Sequence, residues 1–450
     1  MTLILPCVKI FDMFHHLQAR MRKPSKQTLY KALFLVNFTG TSFTNNISGA
    51  ATLFMTGFML LLGAQDSDIG TLASVMTLMN VLQIFSYYVY RRLKSYKWVS
   101  AGLTILRYLI FYSKFFIAPF LSVPTSGKVL FVIICVCFES MFNALKGNGI
   151  LSWNDTYIAD NAKGSYYSIR NVIANVVGII CSLTIGRLLD TYGKQTFIYL
   201  IIAGVMISIS VIETVSLLLV PDYRKEDEVK ITLKQLLTIP VKDKKYLGFV
   251  IFSIWWNFSL LLATPYFNVY AVKTIGVSYT FIAAVGSVTM FVKVLVGRVW
   301  GKFGDKKGWK NILTFAGLGY ALTNGIWMLM GPGTDYLYAV NFFFNGLCMI
   351  GVNIAIFNTN ICLSDPDHRL IYLNFTAAVT GLFSFFGPRI GTAVVSAFQN
   401  VNISIFTLHL SSYQLLFMIS GILQVMAVFY ARYKIFGRQK CEIGPDRTKN

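Results

Sequence analysis

A few ionisable side chains stand inside long apolar stretches of this chain: Arg107 and Lys114, Glu139 and Lys146, then Glu213, Lys293 and Arg389. Each costs about 2.5–3.5 kcal/mol at the centre of a bilayer on insertion scales, so a chain that keeps such groups pairs them or uses them. Arg107 and Lys114 are seven residues apart, as are Glu139 and Lys146. Seven residues is two helical turns, so each pair shares one helix face. In an apolar setting these groups can form ion pairs, take up a proton or attract a charged solute. Arg107 and Glu139 fall at one depth on consecutive antiparallel stretches. A mutual ion pair is expected there, or a proton acceptor at Glu139 that Arg107 tunes, with Asn143 one turn on completing the face. Arg389 directly follows Pro388 with no acid in its own stretch, which suits either attraction of an anionic solute or bonds to backbone carbonyls. Glu213 and Lys293 lie nearer polar boundaries and read as snorkelling or locally paired.

The elements that must position these residues are membrane helices. Hydrophobic residues make up 55% of the 450, aromatic residues 15% and charged residues only 13%, too little polar surface to cover a soluble globule of this length. Stretches long enough to cross a hydrocarbon core recur at 36–62, 68–90, 98–121, 127–149, 170–188, 196–220, 246–270, 277–300, 310–331, 336–361, 371–397 and 411–433. The expectation is an all-α polytopic membrane protein with twelve transmembrane helices. A charged linker at 221–245 divides them into bundles at 36–220 and 246–433, flanked by an N-terminal arm, 1–35, and a tail, 434–450. Within the linker, 231–246 suits an amphipathic helix on the membrane surface or a solvated connection.

Charge sets orientation. Most Lys and Arg fall in the arm, the even-numbered loops and the tail, whereas the odd-numbered loops hold few, namely Lys128, Arg187, Lys194 and Lys273. Lys and Arg are retained in the cytoplasm, so both termini are expected there, in a protein of the plasma membrane. The net charge of +21 is spread as loop anchors rather than gathered on one face, which speaks for the lipid bilayer as partner and against nucleic acid. No metal-ligand spacing is present, and His15, His16, His368 and His409 lie near or outside the membrane surface without carboxylates or a nucleophile beside them. Neither an enzyme nor a metal or cofactor protein is expected. Cys135, Cys137, Cys181 and Cys348 read as small apolar packers, and the cysteine spacing shows no disulfide framework.

The two halves echo each other. SYYVYRRLKSYKW, ending at Trp98, follows the second stretch, and GRVWGKFGDKKGW, ending at Trp309, follows the eighth. Asp160, Lys163 and Tyr166 after the fourth match Asp365, Arg369 and Tyr372 after the tenth, as expected of two pseudo-symmetric six-helix bundles. The loop residues Gly297, Arg298, Gly301, Gly304, Asp305, Lys306, Lys307 and Gly308 are the most specific feature. A glycine, three residues, a second glycine, an acid and a basic cluster resemble the loop signature of the major facilitator superfamily. Gly297 and Gly301 share a helical face that a neighbour can approach closely, and Asp305 can pair with a helix N-terminus or a basic group. The first-half loop keeps Arg91, Arg92, Lys94 and Lys97 but lacks the glycines and the acid, so the second half is the expected gate. The segment GPRIG, 387–391, resembles the Gly-Pro pattern that bends a helix in some members.

The resemblance implies a small-molecule carrier, monomeric and without cofactor, that exposes a mid-membrane site to each side in turn and couples to a proton gradient. It also implies a cavity lined by the first, fourth, seventh and tenth helices. Asn45 and Asn46 fall on the first, Trp256, Asn257 and Tyr266 on the seventh, and Asn345, Asn353 and Asn358 on the tenth. Amides with aromatics suit a sugar or nucleoside, and asparagines equally join helices to one another. The alternatives are an amphiphile exporter of the same fold and a membrane sensor or scaffold that does not transport.

Overall fold

A computed structural model describes residues 26–435 apart from 50–51, 94, 159–162, 194, 223–232, 366–368, 399–402 and 406–407. Eleven of its helical segments are long and apolar enough to cross a membrane. The remaining span is the first, made of two helices, Lys26–Ser48 and Leu53–Leu61. Its break has a local cause: Thr52 caps the second helix, accepting from the Met55 amide at 3.3 Å while donating to the Gly49 carbonyl at 2.8 Å. Interrupted helices at membrane depth are tolerated where they border a cavity.

The other spans follow the expected order. The second runs as Asp66–Met79 and Gln83–Leu93, then come Tyr96–Phe116, Thr125–Asp155, Lys163–Tyr192 and Thr196–Leu219. The second half holds Lys244–Tyr270, Tyr279–Lys307, Trp309–Ile326, Asp335–Leu363, Arg369–Ser384 with Phe386–Ala397, and Ser412–Tyr430. The chain is thus twelve spans in two sets of six. Several helices outrun their apolar stretches, and the first begins at Lys26, inside the stretch read as an arm. The linker contains the helix Leu233–Lys242, with Pro240 in its last turn. The all-α expectation needs one amendment, since a hairpin pairs Ile403–Ile405 with Leu408–Leu410 between the last two spans. The cysteines Cys135, Cys137, Cys181 and Cys348 are free, whereas Cys362 is disulfide-bonded, which its isolated position in the sequence did not suggest.

The halves meet at the end that carries the odd-numbered loops. Phe54, Phe58, Phe115 and Tyr199 of the first half share one apolar cluster with Tyr266, Tyr270, Trp327 and Phe417 of the second. At the opposite end the clusters are separate: Tyr246, Trp256, Trp309 and Tyr320 belong to the second half alone, and Phe34, Trp153 and Leu217 to the first. Polar contacts finish the seal. Lys273 Nζ lies 2.7 Å from Asp66 Oδ1, and Tyr413 donates to the other oxygen of Asp66. Asp190 of the fifth span accepts from the Tyr279 and Thr280 amides, both at 2.7 Å, placing a negative charge on the eighth helix's N-terminus. Large exposed apolar side chains such as Leu109, Val211, Phe291 and Leu322 face outward, where lipid is the solvent.

Glycines allow the tightest approach. Gly387 lies against the Phe258 carbonyl and Gly391 against the Leu262 carbonyl, so the eleventh span packs backbone to backbone on the seventh. The GPRIG segment therefore serves close packing as well as the bend between Ser384 and Phe386. Across the seal, a Cβ at Gly70 would collide with the Tyr266 and Thr392 hydroxyls, whereas one at Gly286 would meet open space. In a background without native cysteines, Gly70→Val should force the halves apart, so that a cysteine at Ser48 reacts with an impermeant maleimide added from the odd-loop side. Gly286→Val should leave that cysteine protected.

Candidate functional site

Among the described residues, the buried charges gather in the first half, on the third, fourth and sixth spans. Arg107, Lys114, Glu139, Lys146 and Glu213 are each at most 3% exposed. They form two groups. In the first, Glu139 lies between two cations, with Lys114 Nζ 2.5 Å from Oε2 and Arg107 Nε 3.7 Å from Oε1. Lys114 also donates to Ser48 Oγ at 2.8 Å, and Arg107 Nη2 to Asn45 Oδ1 at 2.9 Å. The expected Arg107–Glu139 proximity is present, but Lys114 is the tighter partner. The seven-residue spacing that put both cations on one face carried that signal.

In the second group, Glu213 Oε1 accepts from Lys146 at 2.7 Å and from the Thr41 hydroxyl at 2.9 Å, while Oε2 accepts from the Tyr108 hydroxyl at 2.6 Å. Gly40 leaves room for the carboxylate, since a Cβ there would come within 3.1 Å of Oε2. Glu213 is thus no snorkelling surface group: the sixth helix continues to Leu219 and turns this face into the bundle. Lys146, one helical face with Glu139, supplies its counter-charge.

A cavity of about 170 Å³ opens beside the first group, lined by Asn45, Ser48, Gly49, Met76, Arg107, Glu139, Ser140 and Asn143. The break in the first helix forms part of its wall. Such a volume holds roughly five waters or a small polar group. Asn45, Arg107, Glu139 and Asn143 were all legible as candidates, whereas Ser140 was missed because an isolated serine carries no signal. A larger groove of about 280 Å³ between the third and sixth spans, bordered by Ile105, Leu109, Val211 and Val215, lies among outward-facing apolar residues and is a lipid surface.

The remaining candidates sit elsewhere. Asn46 returns its amide to the Ser42 carbonyl at 2.8 Å and lies beside Gly178 of the fifth span. Trp256 packs on Tyr320 in the second half's own core, with ring centroids 5.8 Å apart. Asn257 and Asn358 bond to carbonyls in their own helices, and Asn345 bonds to Tyr320. Asn353 is exposed on the turn before Phe357. Tyr266 is part of the seal, donating to the Pro388 carbonyl at 2.8 Å and bonded to Thr392 at 2.6 Å. Arg389 is exposed, on the face of Phe386 and Ile390, with its guanidinium 5.0 Å from the Phe385 ring centroid. That position faces lipid, so the reading of Arg389 as an anion-binding group in the cavity is corrected. Burial explains these departures: span number alone does not say which helix face turns inward.

The loop signature is helical through Lys307, with Gly308 at positive φ ending the helix. Gly297 meets Ile350 at an ordinary 3.4 Å, and Gly301 borders open space, so neither glycine is pressed by a neighbouring helix here. Gly304 is the crowded one, its Cβ direction filled by the Trp309 ring. Lys306 and Lys307 are exposed, Arg298 is exposed on the same helix, and the Asp305 side chain lies outside the described residues.

Twelve spans in two halves, sealed at one end around a polar cavity, define a membrane carrier. The Major Facilitator Superfamily profile matches residues 32–388, and the chain belongs to that family. It is a transporter, not an enzyme. No curated protein matches it by sequence. Among solved structures, the fold is similar to the nucleoside transporter NupG, with TM-score 0.68 and 15% identity over 93% of this chain and 100% of that one. It is also similar to the D-xylose-proton symporter, with TM-score 0.63 and 13% identity over 92% and 98%. A third similar structure is the inward-open xylose transporter XylE from E. coli, with TM-score 0.62 and 12% identity over 89% and 95%.

Removing one member of a buried ion pair leaves an uncompensated charge and costs about 3–5 kcal/mol. Glu213→Gln and Lys146→Met should each lower the thermal unfolding midpoint in detergent substantially, and the double variant should recover much of that loss. Additive losses would show that the two groups are not a pair.

Proposed function

We propose that this protein is a proton-coupled secondary carrier that moves a small polar solute across the plasma membrane by alternating access, with Glu139 as the proton site. The observation that carries the reading is the carboxylate of Glu139 on the cavity wall, buried and held between Lys114 and Arg107. A carboxylate in this position has two stable arrangements. Ionised, it binds both cations and holds the first, third and fourth spans together through Ser48 and Asn45. Protonated, it releases them, and the cost of leaving two cations unpaired in a dry bundle then favours water or solute entering the cavity.

The orientation of the cycle comes from loop charge. With Lys and Arg retained inside, the sealed odd-loop end is the outer face, and the carrier as described is closed to the outside. The pairs Asp66–Lys273 and Asp190 with the eighth helix must part for the other state to form. The polar lining of the cavity favours a hydrophilic solute over an amphiphile, and the similar structures named for nucleoside and xylose transport support the same class. The interface between halves lies within one chain, in keeping with a monomer.

In proteoliposomes, an imposed proton gradient should drive accumulation of a transported solute. Glu139→Gln should abolish accumulation against a concentration gradient, by a factor of ten or more, while leaving solute exchange at equal concentrations. Gradient-driven accumulation that survives Glu139→Gln would remove this residue from the coupling step.

A further inference from the structure

Among the described residues, the fully buried charges do not balance. Three cations, Arg107, Lys114 and Lys146, stand against two carboxylates, Glu139 and Glu213. Each carboxylate has a lysine of its own, Lys114 at 2.5 Å and Lys146 at 2.7 Å. Arg107 is the cation left over. Among the described residues, its only hydrogen bond is the one from Nη2 to Asn45, and its Nε and Nη1 are buried without a hydrogen-bond partner. Glu139 Oε1, at 3.7 Å, is too distant to satisfy Nε. This half-used guanidinium lines the cavity together with the hydroxyl- and amide-bearing side chains of Ser48, Ser140 and Asn143.

The second half adds positive charge and no buried carboxylate among the described residues. Lys293 lies in the middle of Tyr279–Gly304, as Arg107 lies in the middle of Tyr96–Phe120, so the two share a depth. On its helix, Val288, Phe291, Leu295 and Val299 form the exposed lipid stripe. Lys293 stands on the opposite face, with Thr289 and Gly297, which pack on the tenth span, and Met290, which lies against Gly178 of the fifth. That face turns to the interior between the halves, and Lys293 forms no ion pair among the described residues.

We propose that the transported solute carries an oxyanion, a carboxylate or a phosphate, that docks on Arg107 and is approached by Lys293 from the other half. Nε and Nη1 flank Nη2, which keeps a second N–H beside the one given to Asn45, so one edge of the guanidinium still presents the fork that matches two oxygens of such a group, and serine and asparagine donors complete its coordination. The cavity of about 170 Å³ suits the charged head group, with the rest of the solute extending between the halves. Bound on the first half and then met by a cation of the second, the anion gives the closing movement an electrostatic reason that a neutral solute lacks.

This inference rests on the carrier reading but not on proton coupling, and equilibrium binding to the purified full-length protein tests it without any gradient. The probes are matched sets: D-glucose, D-gluconate and D-glucose 6-phosphate, and uridine with uridine 5′-monophosphate. At least one oxyanion should bind at least tenfold tighter than its neutral parent, gluconate against the sugar phosphate distinguishing carboxylate from phosphate. Arg107→Gln and Lys293→Gln should each weaken that binding about tenfold or more, with Arg107→Lys retaining part of it. Lys293 is partly buried and takes part in no ion pair among the described residues, so its variant keeps the test meaningful if Arg107→Gln misfolds. Neutral parents that bind as tightly as the oxyanions, oxyanion binding that survives both glutamine variants, or no oxyanion binding at all would each overturn the proposal. A carrier that fails to couple to protons leaves this result standing, and a carrier selective for neutral solutes leaves proton-driven flux standing.

Discussion

The hydrocarbon core offers no water to a charged side chain, and the first half of this protein is organised around that constraint. Five ionisable groups lie fully buried on three of its spans, and each helix that carries one is tied to its neighbours by the need to satisfy it. Glu213 draws the first, third, fourth and sixth spans together through Thr41, Tyr108 and Lys146. Glu139 draws the third and fourth together and, through Lys114 and Arg107, reaches Ser48 and Asn45 beside the break in the first. The Glu213 group has no unsatisfied carboxylate oxygen and serves as a fixed joint. The Glu139 group borders a cavity and retains an under-used arginine, so it is the one that can respond to a proton or a solute.

The second half is built differently. Its interior is aromatic and amide-rich, with Trp256 on Tyr320, Tyr246 on Tyr372, and Asn324 bonded to Gln424 at 2.9 Å. Those contacts tie the spans of the second half to one another. The seal between the halves is confined to one end, where Gly70, Gly387 and Gly391 permit backbone approach and Asp66 and Asp190 supply polar contacts at the rim. The seal combines the shared aromatic cluster with small-residue packing, the Asp66–Lys273 ion pair and the Asp190 cap, and alternating access requires that it open.

The twelve spans and their order were legible in the sequence because a bilayer demands long apolar runs and the chain has few other apolar segments. Helix ends were less so: Thr125–Asp155 and Tyr279–Lys307 carry polar turns beyond the hydrocarbon, where hydropathy is silent. The pairing of Glu139 with basic residues of the third span followed from spacing and antiparallel depth alone. What spacing could not supply was rotation about each helix axis. Arg389 read as an isolated intramembrane cation and Lys293 as snorkelling or locally paired, yet Arg389 is exposed beside Phe385 and Lys293 stands opposite the exposed stripe of its helix. The asparagines failed as site markers for the same reason, since Asn46, Asn257 and Asn358 satisfy their amides within their own helices. Asn45 differs from Asn46 only in a rotation of about 100° along one helix, and that rotation puts it on Arg107.

The central claim is that Glu139 changes its protonation state, and infrared difference spectroscopy of the carboxyl stretch reads that directly. Acidifying the reconstituted protein should produce a protonated-carboxyl band that is lost in Glu139→Gln and kept in Glu213→Gln. A spectrum without such a band, or with one that Glu139→Gln leaves in place, would contradict the account and make Glu139 a structural counter-ion only.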